Sequence, residues 1–534
     1  MPTLYFTQSS LVLNWASASS WQPQQVPTLG DLCIFDSNSA TCSLNITLGT
    51  CSQIDFTNYT RQFRFNNNAL GVYGTISFGV SMGYSFSTTT QFGGYNLLQR
   101  GNGNVVTNGA TVGVPFLLYG DGVSTTHTIT GILNMNENFS VSAGSGGSIQ
   151  TVNGTTISCN RSLQFNNVGG NSSANGTTGS VNYIMTGTGN LSYGGGSNAG
   201  LTTPSLNINT TGTITLTGNM MLRNTTVNWL NGISSGINYF YFTGPGTFNP
   251  VYFSTGTYST FGLGTQNSTA TITLLSDYYT IRGVNTIGGT INNNNIYSIG
   301  GLTNVTSNLS GTTVLYLTGT GSGSSGILSA STQYALNTVI NTPGIISSLS
   351  AIFAGSIFTY TAGNVSASNF TLNSPTTSLL TMPPAKFNTV NIGSIANQVN
   401  TLLSDWNMTT LVMSAQNCTF TGSNAWITDI FNTTNTVGNN ILTLRNGITY
   451  SVLRQINLTP QSYGSSFVIQ SGASGSYVNL YLAPGATQTS NNLTLRDVNN
   501  VGTPLWIYNP TIINSTNIWT LNYLSPQQTT ISGF

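Results

Sequence analysis

The strongest constraint on this chain is a short-range rhythm, in which polar and apolar residues alternate over brief runs and glycine-bearing steps break the runs. Ser205-Leu206-Asn207-Ile208-Asn209, Thr213-Ile214-Thr215-Leu216-Thr217 and Val314-Leu315-Tyr316-Leu317-Thr318 all follow a period of two. Successive side chains of a strand point to opposite faces, so each run predicts a half-buried β-strand. The breaks, such as Gly187-Thr188-Gly189, Gly244-Pro245-Gly246 and Gly319-Thr320-Gly321, are tight turns where glycine tolerates positive φ. No segment sustains a helical period. Even Ile345 to Phe358, the best candidate for a membrane span, is interrupted by Ser347, Ser348, Ser350 and Ser356 and reads as strand. The expected fold is therefore all-β, a parallel β-helix or related β-solenoid with capping modules at both ends, with tandem β-sandwiches as the alternative.

Charge favours the solenoid. Only 4% of the 534 residues are charged, ten Lys+Arg against nine Asp+Glu, where soluble domains carry about 25%. Equivalent positions of successive solenoid turns stack about 4.8 Å apart. A repeated charge would face its own copy there, at a cost of roughly 1 kcal/mol even in water. Asn, Thr and Ser avoid this, because amides and hydroxyls donate to one neighbour and accept from the other. A net charge of +1 without a basic run also removes the electrostatic term behind nucleic-acid affinity and polybasic membrane attachment. The opening residues lack a positive region and a long apolar core, so no Sec signal peptide is expected, and no membrane insertion.

Composition shifts along the chain suggest three parts: an N-terminal capping module over 1–80, a repetitive body over 81–400 with roughly 20–25 residues per turn, and a C-terminal module over 401–534. The first holds Cys33, Cys42 and Cys51, spaced nine apart; the last holds Trp406, Trp426, Trp506 and Trp519, four of the seven tryptophans. With five cysteines and no CxxC pair, the thiols are expected to be buried and unpaired, without a zinc site.

Both ends resemble a known group. Asn14-Trp15, Trp21, Val26-Pro27, Asp31 and Phe35-Asp36-Ser37-Asn38-Ser39 with Cys42, followed by Ser52-Gln53-Ile54-Asp55-Phe56-Thr57-Asn58-Tyr59-Thr60, are similar to the N-terminal block of repetitive β-solenoid proteins found in phages, giant viruses and on marine bacterial surfaces. Leu495-Arg496-Asp497 through Trp506, then Asn514-Ser515-Thr516-Asn517-Ile518-Trp519, resembles their closing pattern. Asn499-Asn500-Val501-Gly502 departs from it, and a tail from Asn522 to Phe534 extends past the usual end, a candidate capping or assembly element. The resemblance implies fibre, adhesin or structural components and carries no catalytic set.

Catalytic material is sparse. A polysaccharide-cleaving β-helix enzyme needs clustered carboxylates, with or without Ca²⁺, and the nine acids are scattered, Asp405 and Asp429 being the pair to examine. The single histidine, His127, lies on an alternating strand near Asp121 and Glu137 without a nucleophile elbow; it is expected at the surface or near a turn. No enzyme activity, cofactor or metal is implied. Aromatic residues supply the binding candidates, since Trp and Tyr faces stack on sugars or fill partner pockets. These are Trp519 and Asn517 first, then Trp506, Trp426 and Trp406, with Tyr239, Phe240, Tyr241 and Phe242 as a candidate interface. For Trp506, flanked by Leu505 and Ile507, capping of the solenoid end is the competing role.

The leading expectation is a virion-associated structural and recognition protein, a fibre, spike or capsid-associated component on the particle or extracellular surface. Its expected partners are copies of itself, other structural proteins and cell-surface glycans, with no nucleic acid. A bacterial or archaeal surface adhesin or filament subunit is the alternative.

Overall fold

The computed structural model describes residues 1–521 except 88–93, 122, 143–148, 167–175, 195–199, 255, 283, 300–301, 306–308, 319–326, 335, 346–348, 354–356, 365–368, 373–376, 382–385, 393–397, 415, 434–439, 460–465 and 509. The glycine step at 319–321 and the tail from Asn522 lie outside the described residues. Among the described residues strands make up nearly all the regular structure, with two three-residue 3-10 turns, Ala18–Ser20 and Val251–Phe253. The strands stack in parallel as a β-solenoid of about 16 turns, divided between two compact units, Met1–Ile281 and Arg282–Phe534. The alternative of tandem sandwiches is not what forms.

In the first unit each turn contributes several short strands. Phe116 lies beside Phe139, and Phe139 beside Leu163, offsets of 23 and 24 residues that match the expected turn length. One sheet runs through Thr3–Phe6, Leu32–Ile34, Gln53–Asp55, Ile76–Ser77, Gly103–Val106, Thr125–Thr130 and Ile149–Asn153, all parallel. Its outer edge is Trp21–Gln22, which pairs antiparallel with Thr3–Phe6. That reversed strand ends the stack: it covers the first parallel strand, which otherwise presents unpaired backbone groups. Beneath it Trp15 and Trp21 meet edge to face at 5.1 Å, with Phe6 and Phe35 packed against Trp21.

The second unit uses fewer, longer strands. Lys386–Ile392, Trp406–Met413, Trp426–Thr433 and Thr449–Leu458 succeed one another in one sheet. Gln398–Leu402, Asn417–Gly422, Asn440–Leu444, Phe467–Ser471, Leu493–Arg496 and Thr511–Ile513 do so in another. Pairing crosses residue 80, where Ile76–Ser77 meets Gly103–Val106, and residue 400, where Lys386–Ile392 meets Trp406–Met413.

Uncharged ladders line the outside. Asn228 Nδ2 donates to Asn207 Oδ1 at 2.8 Å and Asn249 Nδ2 to Asn228 Oδ1 at 3.2 Å, each across one turn. Hydroxyl pairs Thr151/Thr178 and Thr401/Thr421 repeat the device at 3.3 and 2.7 Å. Asparagine also serves the corners, where Asn66, Asn108, Asn224, Asn293 and Asn492 hold positive φ, a region its short polar side chain tolerates. Among the described residues three ion pairs form, Arg100 with Asp121, Arg161 with Glu137 at 3.4 Å, and Lys386 with Asp429 at 2.8 Å.

All five cysteines are buried and free. Burial pushes the Cys159 thiol up to about 11 and that of Cys418 to about 12, and raises Cys33 and Cys42 as well. They are packing residues rather than nucleophiles at neutral pH.

Candidate functional site: an aromatic cleft near the C-terminal end

The expectation for His127 is corrected. The ring is fully buried, because Thr125, His127 and Ile129 share one face of Thr125–Thr130 and that face points inward. Nδ1 meets Gln99 Oε1, while Nε2 lies 3.0 Å from Thr125 Oγ1 and 3.3 Å from Gln150 Oε1. Burial, opposed by the Gln150 hydrogen bond, lowers its pKa to about 4, so the ring is neutral at pH 7 and belongs to an internal polar cluster.

The carboxylates are committed to local structure. Asp31 accepts the Thr28 N–H at 2.7 Å, Asp36 the Asn38 N–H at 2.8 Å and Asp55 the Thr57 N–H at 2.8 Å. Asp405 accepts the Ala425 N–H at 2.8 Å, whereas Asp429 pairs with Lys386. Those two acids sit four positions apart along adjacent strands, about 13 Å at the strand rise, too far to act together. Among the described residues no group of three His, Cys, Asp or Glu is arranged to hold a metal.

The aromatic candidates divide by strand parity. Trp406 and Trp426 are ladder partners in the core, 2% and 0% exposed; neither presents a face to a ligand, which corrects their reading as binding residues. Phe240 and Phe242 are likewise core. Tyr239 and Tyr241 lie on the opposite side of Tyr239–Phe242, stacked at 5.3 Å, and only Tyr239 is half-buried while Tyr241 is 5% exposed. The candidate interface therefore shrinks to one residue. Asn517, exposed and at positive φ, donates its amide to Asn500 O at 2.9 Å and so stitches the final turn.

Trp506 differs. Strand Leu505–Tyr508 alternates strictly: Leu505 and Ile507 are fully buried, Trp506 and Tyr508 are 46% and 42% exposed. The flanking apolar residues that suggested a core cap are what turn the indole outward. The next strand, Ile518–Leu521, places Trp519 beside Trp506 in the ladder; the description of Trp519 stops at that backbone position.

Trp506 and Tyr508 line a cleft of about 370 Å³ with Gly485, Ala486, Gln488, Ser490 and Thr503. Sequence reasoning had no signal for the last five, of which Gly485, Ala486, Gln488 and Ser490 come from the preceding turn and Thr503 from the approach to the aromatic strand itself. Gln488 fixes the aromatic strand, its Oε1 accepting the Trp506 N–H at 2.8 Å and its Nε2 donating to Pro504 O at 3.0 Å. Ser490 is 2% exposed, and its Oγ has no hydrogen-bond partner. A larger hollow at the N-terminal end, about 830 Å³ and lined by Thr3, Tyr5 and Trp21 among others, offers less, since Trp21 is fully buried. No protein-family model matches the chain, and neither the curated proteins nor the solved structures contain a match.

Proposed function

We propose that this chain is a structural and recognition component of a virus particle, a fibre, spike or capsid-associated element that assembles with its own copies and other structural proteins and attaches to the host surface. The observation that carries the reading is the pairing of a solenoid faced with uncharged Asn and Thr ladders with one exposed aromatic cleft near its C-terminal end. Such ladders build a weakly charged surface suited to display, and the fold is compatible with fibre and adhesin roles. Carboxylates spent on turns and ion pairs support a non-catalytic role.

Antibodies raised against the purified chain and visualised with gold on particles from an infected culture test the reading. Gold on the particle surface is expected. Gold confined to the envelope of uninfected cells would replace it with the surface-adhesin reading, and release of reducing ends from polysaccharides by the purified chain would replace it with an enzyme.

A further inference from the structure

We propose that Asn231 is a self-modification site, where the backbone nitrogen of the following glycine closes on the side chain to form a succinimide that water opens to aspartate or isoaspartate. The chain contains six Asn-Gly steps, at Asn102, Asn108, Asn153, Asn175, Asn231 and Asn446, and glycine has no side chain to shield its nitrogen. Asn175 lies outside the described residues. In four of the other five steps one reactant is committed elsewhere. Asn102 Oδ1 accepts the Thr126 N–H at 2.7 Å, and Asn108 Nδ2 donates to Phe78 O at 3.0 Å. Gly154 N donates to Ser180 Oγ at 3.1 Å and Gly447 N to Tyr477 O at 2.8 Å, so each nitrogen serves an acceptor other than the preceding carboxamide.

At Asn231 the two reacting groups meet. Gly232 N donates to Asn231 Oδ1 at 2.9 Å, which sets the carboxamide carbon beside the nitrogen that attacks it, and a rotation about Cβ–Cγ turns the face of that carbon toward the nitrogen without moving either atom. Register explains the meeting. Ile208 faces Trp229, Asn209 faces Asn231 and Thr213 faces Ile233, so Leu230 is an extra residue and the Asn231-Gly232 step falls between two shifts that break the ladder. Glycine is required there, since at φ +123 a Cβ would lie 2.9 Å from Thr210 Cγ2. Asn231 is half-buried, so water and base reach it.

The reaction needs only water as co-reactant and is redox-neutral. Base takes the Gly232 amide proton, the nitrogen bonds to Asn231 Cγ, and the Cγ–Nδ2 bond breaks as Nδ2 leaves with a proton as ammonia. Water then adds to one of the two imide carbonyls. Opening on one side gives aspartate, and opening on the other gives isoaspartate, with an extra methylene in the main chain. That lengthening falls between Trp229 and its acceptor, because the indole Nε1 donates to Gly232 O at 2.9 Å. The isoaspartate product therefore unseats a fully buried ring.

The test is peptide mapping by mass spectrometry of the full chain held in warm, mildly alkaline buffer, folded or in urea, with isoaspartate counted by enzymatic methylation. In urea the Asn-Gly steps are expected to convert at similar rates. In the folded chain Asn231 should convert at least about tenfold faster than Asn102, Asn108, Asn153 and Asn446, because misplacing a reacting atom by about 1 Å costs up to about a hundredfold. The aged chain should lose about 2–4 °C in Tm, the scale of one buried hydrogen bond in a unit of this size. Asn231→Gln, whose longer side chain closes the ring poorly, should neither convert nor lose Tm with age. Asn231→Asp, which supplies the new charge without the added methylene and keeps an acceptor for the Gly232 N–H, should start near the wild-type Tm. Faster conversion at any of the other four described steps, equal rates at all five, or isoaspartate at Asn231 with an unaltered Tm would overturn the proposal.

Discussion

The two units solve the same packing problem with different interiors. In Met1–Ile281 several large polar groups that enter the core find one another or the backbone, although the Tyr84 and Tyr183 hydroxyls and Asn96 Oδ1 stay unmatched. Gln99, Thr125, His127 and Gln150 form one hydrogen-bonded cluster, and the indoles of Trp21 and Trp229 each donate to a carbonyl, Trp15 O and Gly232 O, at 2.9 Å. In Arg282–Phe534 Trp406 and Trp426 are buried as ladder neighbours and neither Nε1 has a partner; Asn400 Oδ1 and Asn500 Oδ1 are also unmatched. The difference teaches that in a solenoid the neighbours of a core residue are set by register. Trp406 and Trp426 share one register position a turn apart and neither indole reaches an acceptor, while the indoles of Trp21 and Trp229 reach backbone carbonyls. Burial of two large rings outweighs two orphan donors, at about 1–3 kcal/mol for each donor.

The largest expected effect breaks the first unit at its reversed edge. Trp21→Ala removes a fully buried ring that meets Trp15, Phe6 and Phe35 and whose N–H holds Trp15 O. A loss of about 3–5 kcal/mol is expected from the cavity, read by urea unfolding. Destabilisation below about 1 kcal/mol would show that the edge strand does not cap the stack.

Acid tests the polar cluster. The folded pKa of His127 is lowered from 6.5 to about 4, so between those values the unfolded chain binds the proton that the folded chain excludes. Stability therefore rises with pH across that window. It is fully present above the unfolded value, is lost as pH falls from 6.5 towards 4, and the loss levels off below 4. On the order of 3 kcal/mol is at stake, from 1.36 kcal/mol per pKa unit. The partners Gln99, Thr125 and Gln150 do not titrate, so His127→Gln should remove this component and leave only the general acid loss from carboxylates. Identical pH profiles for wild type and variant, by denaturant unfolding at pH 7 and pH 4.5, would refute a buried neutral ring.

Much of this architecture is legible in the residues, and the omissions share a cause. Period-two alternation gives the strands, and charge scarcity the ladders, because both are local or averaged properties. The same alternation holds the facing of His127, which shares parity with Ile129, and of Trp506, which opposes Leu505 and Ile507; the polarity of one and the size of the other pointed the wrong way. Trp406 and Trp426 open two strands of the same length with a spacing of 20 residues, a ladder signature in plain view. Contacts between turns are another matter. Turn length varies, 23 residues from Phe116 to Phe139 and 20 from Trp406 to Trp426, so nothing local says that Gln99 meets His127 or that Gln488 accepts the Trp506 N–H. The reversed strand Trp21–Gln22 is hidden for the same reason, since strand direction is a tertiary property.

The smallest expected effect is also the sharpest comparison between the units. Replacing Trp by Phe at a buried site removes part of a ring and one N–H donor. At Trp229 that donor is used, so Trp229→Phe both reduces packing and strands the Gly232 carbonyl in a buried position. At Trp406 the donor is unmatched, and Trp406→Phe removes an unsatisfied group along with the lost packing. The packing terms are similar in kind, for both side chains are at most 2% exposed. The hydrogen-bond terms have opposite signs: a bonded donor contributes about 1 kcal/mol and an orphan costs at least as much. Trp406→Phe should accordingly be tolerated within about 1 kcal/mol, and Trp229→Phe should be the more destabilising by about 1–2 kcal/mol, measured for each variant against wild type by chemical unfolding followed with a probe local to its own unit. Equal costs would mean that the Trp406 indole has found an acceptor after all, and that the contrast between the two interiors lies in packing rather than in hydrogen bonding.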